Sequence, residues 1–335
     1  MIIPVNAFGE SYDVTLERGA LADAADILSL DRQVFILTDS GVPAQYAEKI
    51  ASQCGRAHIK RIRLGEKSKC FEVLRSILSD MLSCGLGRDD CLVAVGGGVV
   101  GDMGGFAASA YMRGIDFYNV PTTLLAQVDS SIGGKTGINL DGVKNIVGAF
   151  YQPKAVLIDP DTLDTLSARY ISEGLAEAIK MAVTSDEALF ELIETCGDLK
   201  SALPTIIERA LRIKAAVVEQ DPYEKNVRRV LNFGHTVGHA IESVNLGRLL
   251  HGECVALGML PMCSEQVRKR LVPILTKFGL PTEITDPADK LIPFIERDKK
   301  RSGSGIKAVF SDEIGSYEIK KVTPEEIEKR LEMIK

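Results

Sequence analysis

Two hydrophobic periodicities alternate through the first half of this 335-residue chain and only one persists in the second, a change that limits the fold more than any single motif. VFILTD (34–39), IKRIRL (59–64), CLVAV (91–95) and FYNV (117–120) are short, rich in β-branched and aromatic residues, and read as strands. Between them, the segments 43–53, 70–83 and 102–111 carry apolar residues three and four apart, the spacing of one helix face. SYDVTLERG adds an edge strand, and AVLID, closed by Pro160, is the last strand of this half. Strands alternating with helices imply βαβ units and a parallel sheet covered by helices. From about residue 165 onward EGLAEAIKMAV, EALFELIETC, LPTIIERALRIKAAVVEQ, HTVGHAIESV and GECVALGMLPMCSEQVRKR read as helices, interrupted by one hairpin around IKAVF and SYEIK. The expectation is an α/β domain over 1–162 and a mainly α-helical domain over 163–335, with a ligand cleft between them at the carboxyl ends of the strands.

Composition removes several classes. A net charge of −6 argues against nucleic acid or an anionic membrane as partner, so an anionic substrate would need a local cluster of Lys and Arg. No run approaches the ~18–20 apolar residues of a membrane helix, and MIIPVNAFGE lacks the basic and apolar regions of a signal peptide, so a cytoplasmic protein is expected. The seven cysteines are scattered and never form a CxxC pair, which speaks against a disulfide framework or a thiolate zinc cluster and for small buried hydrophobes.

CLVAV runs into Gly96-Gly97-Gly98-Val99-Val100-Gly101-Asp102, a GxGxxG pattern between a strand and a helix. Glycines there permit a tight turn and let backbone amides approach a diphosphate at the helix N-terminus, giving a Rossmann-like reading. The usual ribose-binding acid on the next strand is absent; Asp39, ending a strand, and the turn Gly65-Glu66-Lys67-Ser68-Lys69 are alternative places to grip a ribose. A second glycine-rich segment, Asp129 to Thr136, ends in GKT, but Asp129 stands where a Walker loop needs its first glycine. An ATPase is therefore rejected, and Lys135 is expected in a loop able to hold a phosphate, with Lys144 and Asn145 nearby.

Three of the four histidines, His235, His239 and His251, fall within 17 positions. His235 and His239 share a helix face, and Thr236 after the first excludes a zinc-peptidase HExxH motif. Three clustered imidazoles with a carboxylate from Glu173 or Glu177 suit a catalytic metal, although spacing leaves open which two histidines bind. Glu177 and Lys180 share a face among Ala176, Ala178 and Ile179, so partial burial of the pair is expected. Lys214, Arg228 and the Asp298-Lys299-Lys300 run would each, alone, be solvated surface charge.

Taken in order, GGGVVGD, RGI at 113–115, VPTTLLAQVDSSIGGKTGIN, KNIVGAFYQP, GLAEAIK, RRVLNFGHTVGHAIE, HGECVALGM, GLPT and DKK resemble the 3-dehydroquinate synthase family over about residues 30 to 320. The resemblance implies conversion of the keto-acid phosphate DAHP to 3-dehydroquinate and phosphate, with catalytic NAD and a divalent metal, zinc or cobalt. Metal ligands would be Glu177, His235 and His251. NAD would meet Asp39, Glu66, Lys69, Gly98, Val99, Val100, Gly101, Asp102, Thr122, Thr123, Lys135, Lys144, Thr162 and Thr165. Substrate would meet Lys135, Asn145, Lys214, Arg228, Asn232, His239 and one of Lys299 or Lys300, with Lys180 polarising a hydroxyl and Asp129 relaying its proton. Arg113 would reach a neighbouring subunit's site, implying a homodimer.

Ser167 stands where the family often has Pro, and Cys254 where it often has Ala. The rivals are other sugar-phosphate cyclases, of the deoxyinosose or valiolone type, and a metal-dependent polyol dehydrogenase. A third is a nucleotide-binding module without turnover. Lys214, Arg228 and Asn232 favour a substrate bearing a carboxylate.

Overall fold

The structure, a computed structural model, describes residues 1–245, 247–302 and 305–334, with side chains for all of these except 297–302. The chain divides into two compact units, Met1–Leu166 and Ser167–Lys335.

In the first unit the elements are β1 (Ile2–Ala7), β2 (Glu10–Leu16), α1 (Ala24–Ile27), β3 (Gln33–Asp39), α2 (Ala44–Ala51), β4 (Arg56–Ile62), α3 (Phe71–Ser83), β5 (Cys91–Gly96), α4 (Gly98–Ala110), β6 (Asp116–Pro121), β7 (Lys135–Leu140), β8 (Val143–Phe150) and β9 (Ala155–Ile158). Seven strands form one sheet in the order β1-β2-β9-β6-β5-β3-β4, parallel except for the β1–β2 pair. The apolar strands lie at its centre because they are apolar on both faces. Val34, Ile36, Cys91, Val93 and Val95 pack into one buried cluster, while Phe35, Leu37, Leu92 and Ala94 point into the other. From β3 the chain moves out to β4 and then crosses back to β5, so the strand order reverses between β3 and β5. An open α/β sheet binds ligands at the carboxyl ends of the strands flanking such a reversal; here those ends are Asp39 and Gly96.

Helix α4 begins at Gly98, four residues before the periodicity suggested, because the glycine turn is itself the first helical turn and glycines add nothing to an apolar pattern. Small residues let α4 lie directly on the sheet: a Cβ at Gly104 would stand 2.9 Å from the Ala94 Cβ. β4 runs over 56–62 rather than 59–64, an exposed edge whose charged residues blur the strand signal. β1 and the β7–β8 hairpin were not expected at all. The hairpin corrects one reading: Lys135 opens strand β7 rather than sitting in a loop, and Asp129 lies in a π-helical turn, Ala126–Ser130. Gly137 is a strand requirement, since a Cβ there would stand 2.6 Å from the Val147 carbonyl oxygen across the hairpin.

The second unit holds α5 (Ala168–Ser185), α6 (Glu187–Thr195), α7 (Leu199–Gln220), α8 (His235–Asn245), α9 (His251–Met259), α10 (Glu265–Lys277), α11 (Ala288–Ser302), the antiparallel pair β10 (Ile306–Phe310) and β11 (Glu318–Val322), and α12 (Pro324–Met333). Several starts carry side-chain caps: Asp186 for α6, Asp198 for α7, Ser264 for α10, and a Thr323–Glu326 capping box for α12. α5 is the central helix, buried from Glu173 to Thr184. α8 and α9 approach backbone to backbone, because a Cβ at Gly258 would stand 2.6 Å from the Gly238 nitrogen and overlap the Gly234 carbonyl oxygen. Gly252 likewise brings α9 against α5, where a Cβ would stand 2.8 Å from the Glu173 carbonyl carbon.

Among the described residues no helix is long and apolar enough to cross a membrane. All seven cysteines are free; Cys91, Cys254 and Cys263 are buried, and the other four only partly so.

Candidate active site

Three helices of the second unit converge on Glu177. α5 carries it with Lys180 three residues on, both buried and joined in an ion pair. His235 opens α8, with His239 one turn further, and His251 opens α9. Glu177 Oε1 lies 3.4 Å from His251 Nε2 and 3.8 Å from His235 Nε2. The outward nitrogens are engaged elsewhere: His235 Nδ1 is 3.1 Å from the Phe233 carbonyl oxygen, and His251 Nδ1 is 3.4 Å from Glu242 Oε2. Burial alone would raise the Glu177 carboxyl, but Lys180, His251 and His235 together hold it well below the usual range. Burial and Lys180 push His235 well below its ordinary value, whereas for His251 burial is outweighed by the flanking carboxylates of Glu177 and Glu242, which raise it to about 10. Burial lifts Glu173 to about 7 against the pull of His251.

These side chains fit a divalent cation. Four ligands at about 2.1 Å in a tetrahedron lie about 3.4 Å apart, close to the 3.4 and 3.8 Å between Glu177 and the two imidazole nitrogens. Both Glu177 oxygens are buried without a well-aligned hydrogen bond, as expected of a carboxylate built to meet something else. The ligand atoms of His235, His239 and His251 also lie within 4.8 Å of one another, so the third imidazole borders the same space.

Beside this cluster a 3-10 segment, Val227–Asn232, packs against α5 and α7 and carries Arg228 and Asn232, while Lys214 lies on α7. Arg228 and Lys214 are buried, unlike the solvated cations their isolated sequence context suggests. Asp221 organises the approach to this segment by accepting the backbone amides of Lys225, Asn226 and Arg228. Arg228 donates to the Pro222 carbonyl and Asn232 to Glu224 Oε1, each at 2.6 Å. Lys299 and Lys300 lie outside the residues whose side chains are described.

In the first unit, Lys69 is 3% exposed and binds Asp102 Oδ2 at 2.5 Å and the Asn145 side-chain oxygen. Glu66 accepts from Asn139 at 2.8 Å, and Asn139 in turn accepts from the Asn145 amide at 2.8 Å. Asn145, at φ 53, accepts from Lys69, and the resemblance places the same residue with the substrate cations. Asp39 Oδ1 accepts the amides of Gly41 and Val42, closing the turn after β3. Thr122 follows β6, its amide bonded to the Gly96 carbonyl, and a Cβ on Gly97 would stand 3.0 Å from Thr123 Cγ2. Gly98, Val99, Val100 and Gly101 form the first turn of α4. Thr162 is buried and bonded to Gln127 and the Asp159 carbonyl; Thr165 meets the Tyr46 hydroxyl. Lys135 and Lys144 are exposed on the hairpin, and Arg113 is exposed with φ 71 after Met112 at φ 49.

Some contributors escaped the sequence reading. Glu242 has a signal, lying three residues after His239 on one helix face. Arg169 does not: its bidentate pairing with Glu253, at 2.6 and 2.7 Å, joins residues 84 apart. Glu253 also accepts the Leu250 amide at 2.8 Å and so fixes the first turn of α9, where His251 stands.

The architecture is that of the sugar-phosphate cyclases. A 2-epi-5-epi-valiolone synthase from Streptomyces hygroscopicus, solved with NAD+ and Zn2+ bound, is 30% identical and superposes with a TM-score of 0.90, covering 98% of each chain. A 2-deoxy-scyllo-inosose synthase complexed with carbaglucose-6-phosphate, NAD+ and Co2+ is 25% identical, with a TM-score of 0.89 over 99% of each chain. The family model "3-dehydroquinate synthase N-terminal" matches residues 59–173, and "3-dehydroquinate synthase C-terminal" matches 174–301. A 3-dehydroquinate synthase from Streptococcus thermophilus is 39% identical over 99% of this chain and 100% of its own. The chain belongs to the 3-dehydroquinate synthase family.

Proposed function

We propose that the chain converts DAHP to 3-dehydroquinate and phosphate, with the first unit as the nucleotide-binding domain and the second binding metal and substrate. The observation that carries this reading is the buried Glu177 carboxylate, ion-paired to Lys180 and faced by the Nε2 atoms of His235 and His251. We assign zinc or cobalt to those three ligands and NAD+ to Asp39, Glu66, Lys69, the Gly98–Asp102 turn, Thr122, Thr123, Lys135, Lys144, Thr162 and Thr165. When bound, the cation would polarise a substrate hydroxyl, and NAD+ would supply a reversible hydride acceptor at the same carbon.

The chain's own groups do the rest. Lys180 holds a positive charge beside the reacting hydroxyl, and Asp129 relays the hydroxyl proton. Lys135, Asn145, Lys214, Arg228, Asn232, His239 and one of Lys299 or Lys300 hold the phosphate and carboxylate of a doubly anionic substrate. That Lys214 and Arg228 are buried rather than solvated is in keeping with this reading.

We assign the activity to the cytoplasm, in keeping with seven free cysteines, and to a homodimer in which Arg113 enters the neighbouring site. The strained left-handed backbone at Met112 and Arg113 supports a task for that exposed side chain.

The test is to incubate the protein with DAHP, NAD+ and zinc or cobalt, following phosphate and NADH together. Phosphate release without net NADH, abolished by a chelator and by His235→Ala, is expected. Accumulating NADH without phosphate would mean a dehydrogenase, and turnover only of other sugar phosphates a different cyclase.

A further inference from the structure

Glu242 lies outside the proposed ligand set, yet it stands at one end of the His251 ring. The imidazole lies between two carboxylates: Glu177 Oε1 is 3.4 Å from Nε2, and Glu242 Oε2 is 3.4 Å from Nδ1. Only one end is built as a donor cluster, the Nε2 end, where His235 Nε2 also approaches Glu177. At the other end Glu242, its side chain 16% exposed, reaches from α8 across to the first residue of α9.

Bound to a cation, the imidazole is neutral and carries one proton, and the nitrogen without it offers the lone pair. An acceptor at Nδ1 holds the proton there and leaves Nε2 to coordinate. His235 has the same arrangement with a backbone acceptor, the Phe233 carbonyl at 3.1 Å. Glu242 is thus the side-chain counterpart of that carbonyl, and it cannot itself be a ligand of the cluster because it meets His251 at the opposite nitrogen.

We propose that Glu242 is a positioning residue that holds the Nδ1 proton of His251, turns Nε2 toward Glu177, and so strengthens binding of a divalent cation. This rests on the assignment of Glu177, His235 and His251 as ligands.

The experiment compares Zn2+ affinity of wild type, Glu242→Gln and Glu242→Ala by competition with a chromophoric chelator, and records melting of the metal-free forms. Wild type should bind one cation per chain. Glu242→Ala should bind about 10–100-fold more weakly, and Glu242→Gln, which keeps an acceptor oxygen at the same length, should fall between. Metal-free melting temperatures should stay close together. A merely structural role would instead lower the metal-free melting temperature and leave affinity unchanged, and that result overturns the proposal. Should Glu242→Ala not fold, Glu242→Gln decides alone: wild-type affinity in it also overturns the proposal. If wild type binds no cation, the ligand assignment itself fails, an outcome distinct from a metal-binding wild type that is indifferent to position 242.

Discussion

Lys180 lies one helical turn beyond Glu177 and pairs with it in a place where neither side chain is more than 2% exposed. Removing one member of a buried ion pair strands the other charge, at a cost of about 3–5 kcal/mol. Lys180→Met should therefore unfold at lower urea in the metal-free protein and release no measurable phosphate from DAHP. A variant with wild-type urea midpoint and turnover would show that the pair is neither a structural nor a chemical necessity.

Lys69 makes a similar test in the first unit. Its ammonium ties Asp102 on α4 to Asn145 on the hairpin. Lys69→Met should weaken NAD+ binding at least about tenfold, since a charge-assisted hydrogen bond contributes about 1.5–3 kcal/mol. Zinc affinity should be unchanged. Calorimetric titration with NAD+ reads the first quantity and chelator competition the second; a loss of both would mean that the whole protein is disturbed.

The backbone contact between α8 and α9 predicts intolerance at Gly258. A methyl group there meets backbone atoms of Gly234 and Gly238, which cannot rotate away. Gly258→Ala should cost at least about 1–3 kcal/mol by overpacking and weaken zinc binding, because it pushes apart the helices that carry His235 and His251. Urea unfolding and chelator competition on the same preparation check both. A stable Gly258→Ala protein with full zinc affinity would mean that the helices need not touch.

How far the sequence could be read follows from what each feature depends on. The central strands and α2 and α3 were legible because both faces of the strands are apolar and the helices repeat at three and four residues. The start of α4 was not, because glycines carry no periodicity. The β7–β8 hairpin was missed because Gly137 and Gly148 read as loop residues, although they are there to let two strands close. The clustering of His235, His239 and His251 was legible, but residue spacing could not rank the three, and only the family resemblance singles out a particular pair. Glu253 and Arg169 were invisible: their pairing depends on where two helices meet, which no local pattern encodes.

Far from the site, Asp186 predicts a pH dependence of stability. Its carboxylate caps α6 by accepting the Leu189 amide and pairs with Arg209 at 2.6 and 2.8 Å. Burial alone would raise this carboxyl, but Arg209 and the amides of Leu189 and Ala188 hold it below its ordinary value. A carboxyl lowered on folding contributes stability above the unfolded value, about 3.9, and loses it as pH falls through the folded value. Asp186→Asn can still cap the helix but cannot pair with Arg209, so at pH 7 it should cost about 1 kcal/mol, whereas Asp186→Ala should cost about 1–2 kcal/mol. The gap between wild type and Asp186→Asn should stay constant from pH 7 to about 5 and close as the pH falls below about 3.9. Urea midpoints across that range check it; a gap that widens on acidification would mean that Asp186 is destabilised in its charged form and that burial outweighs Arg209.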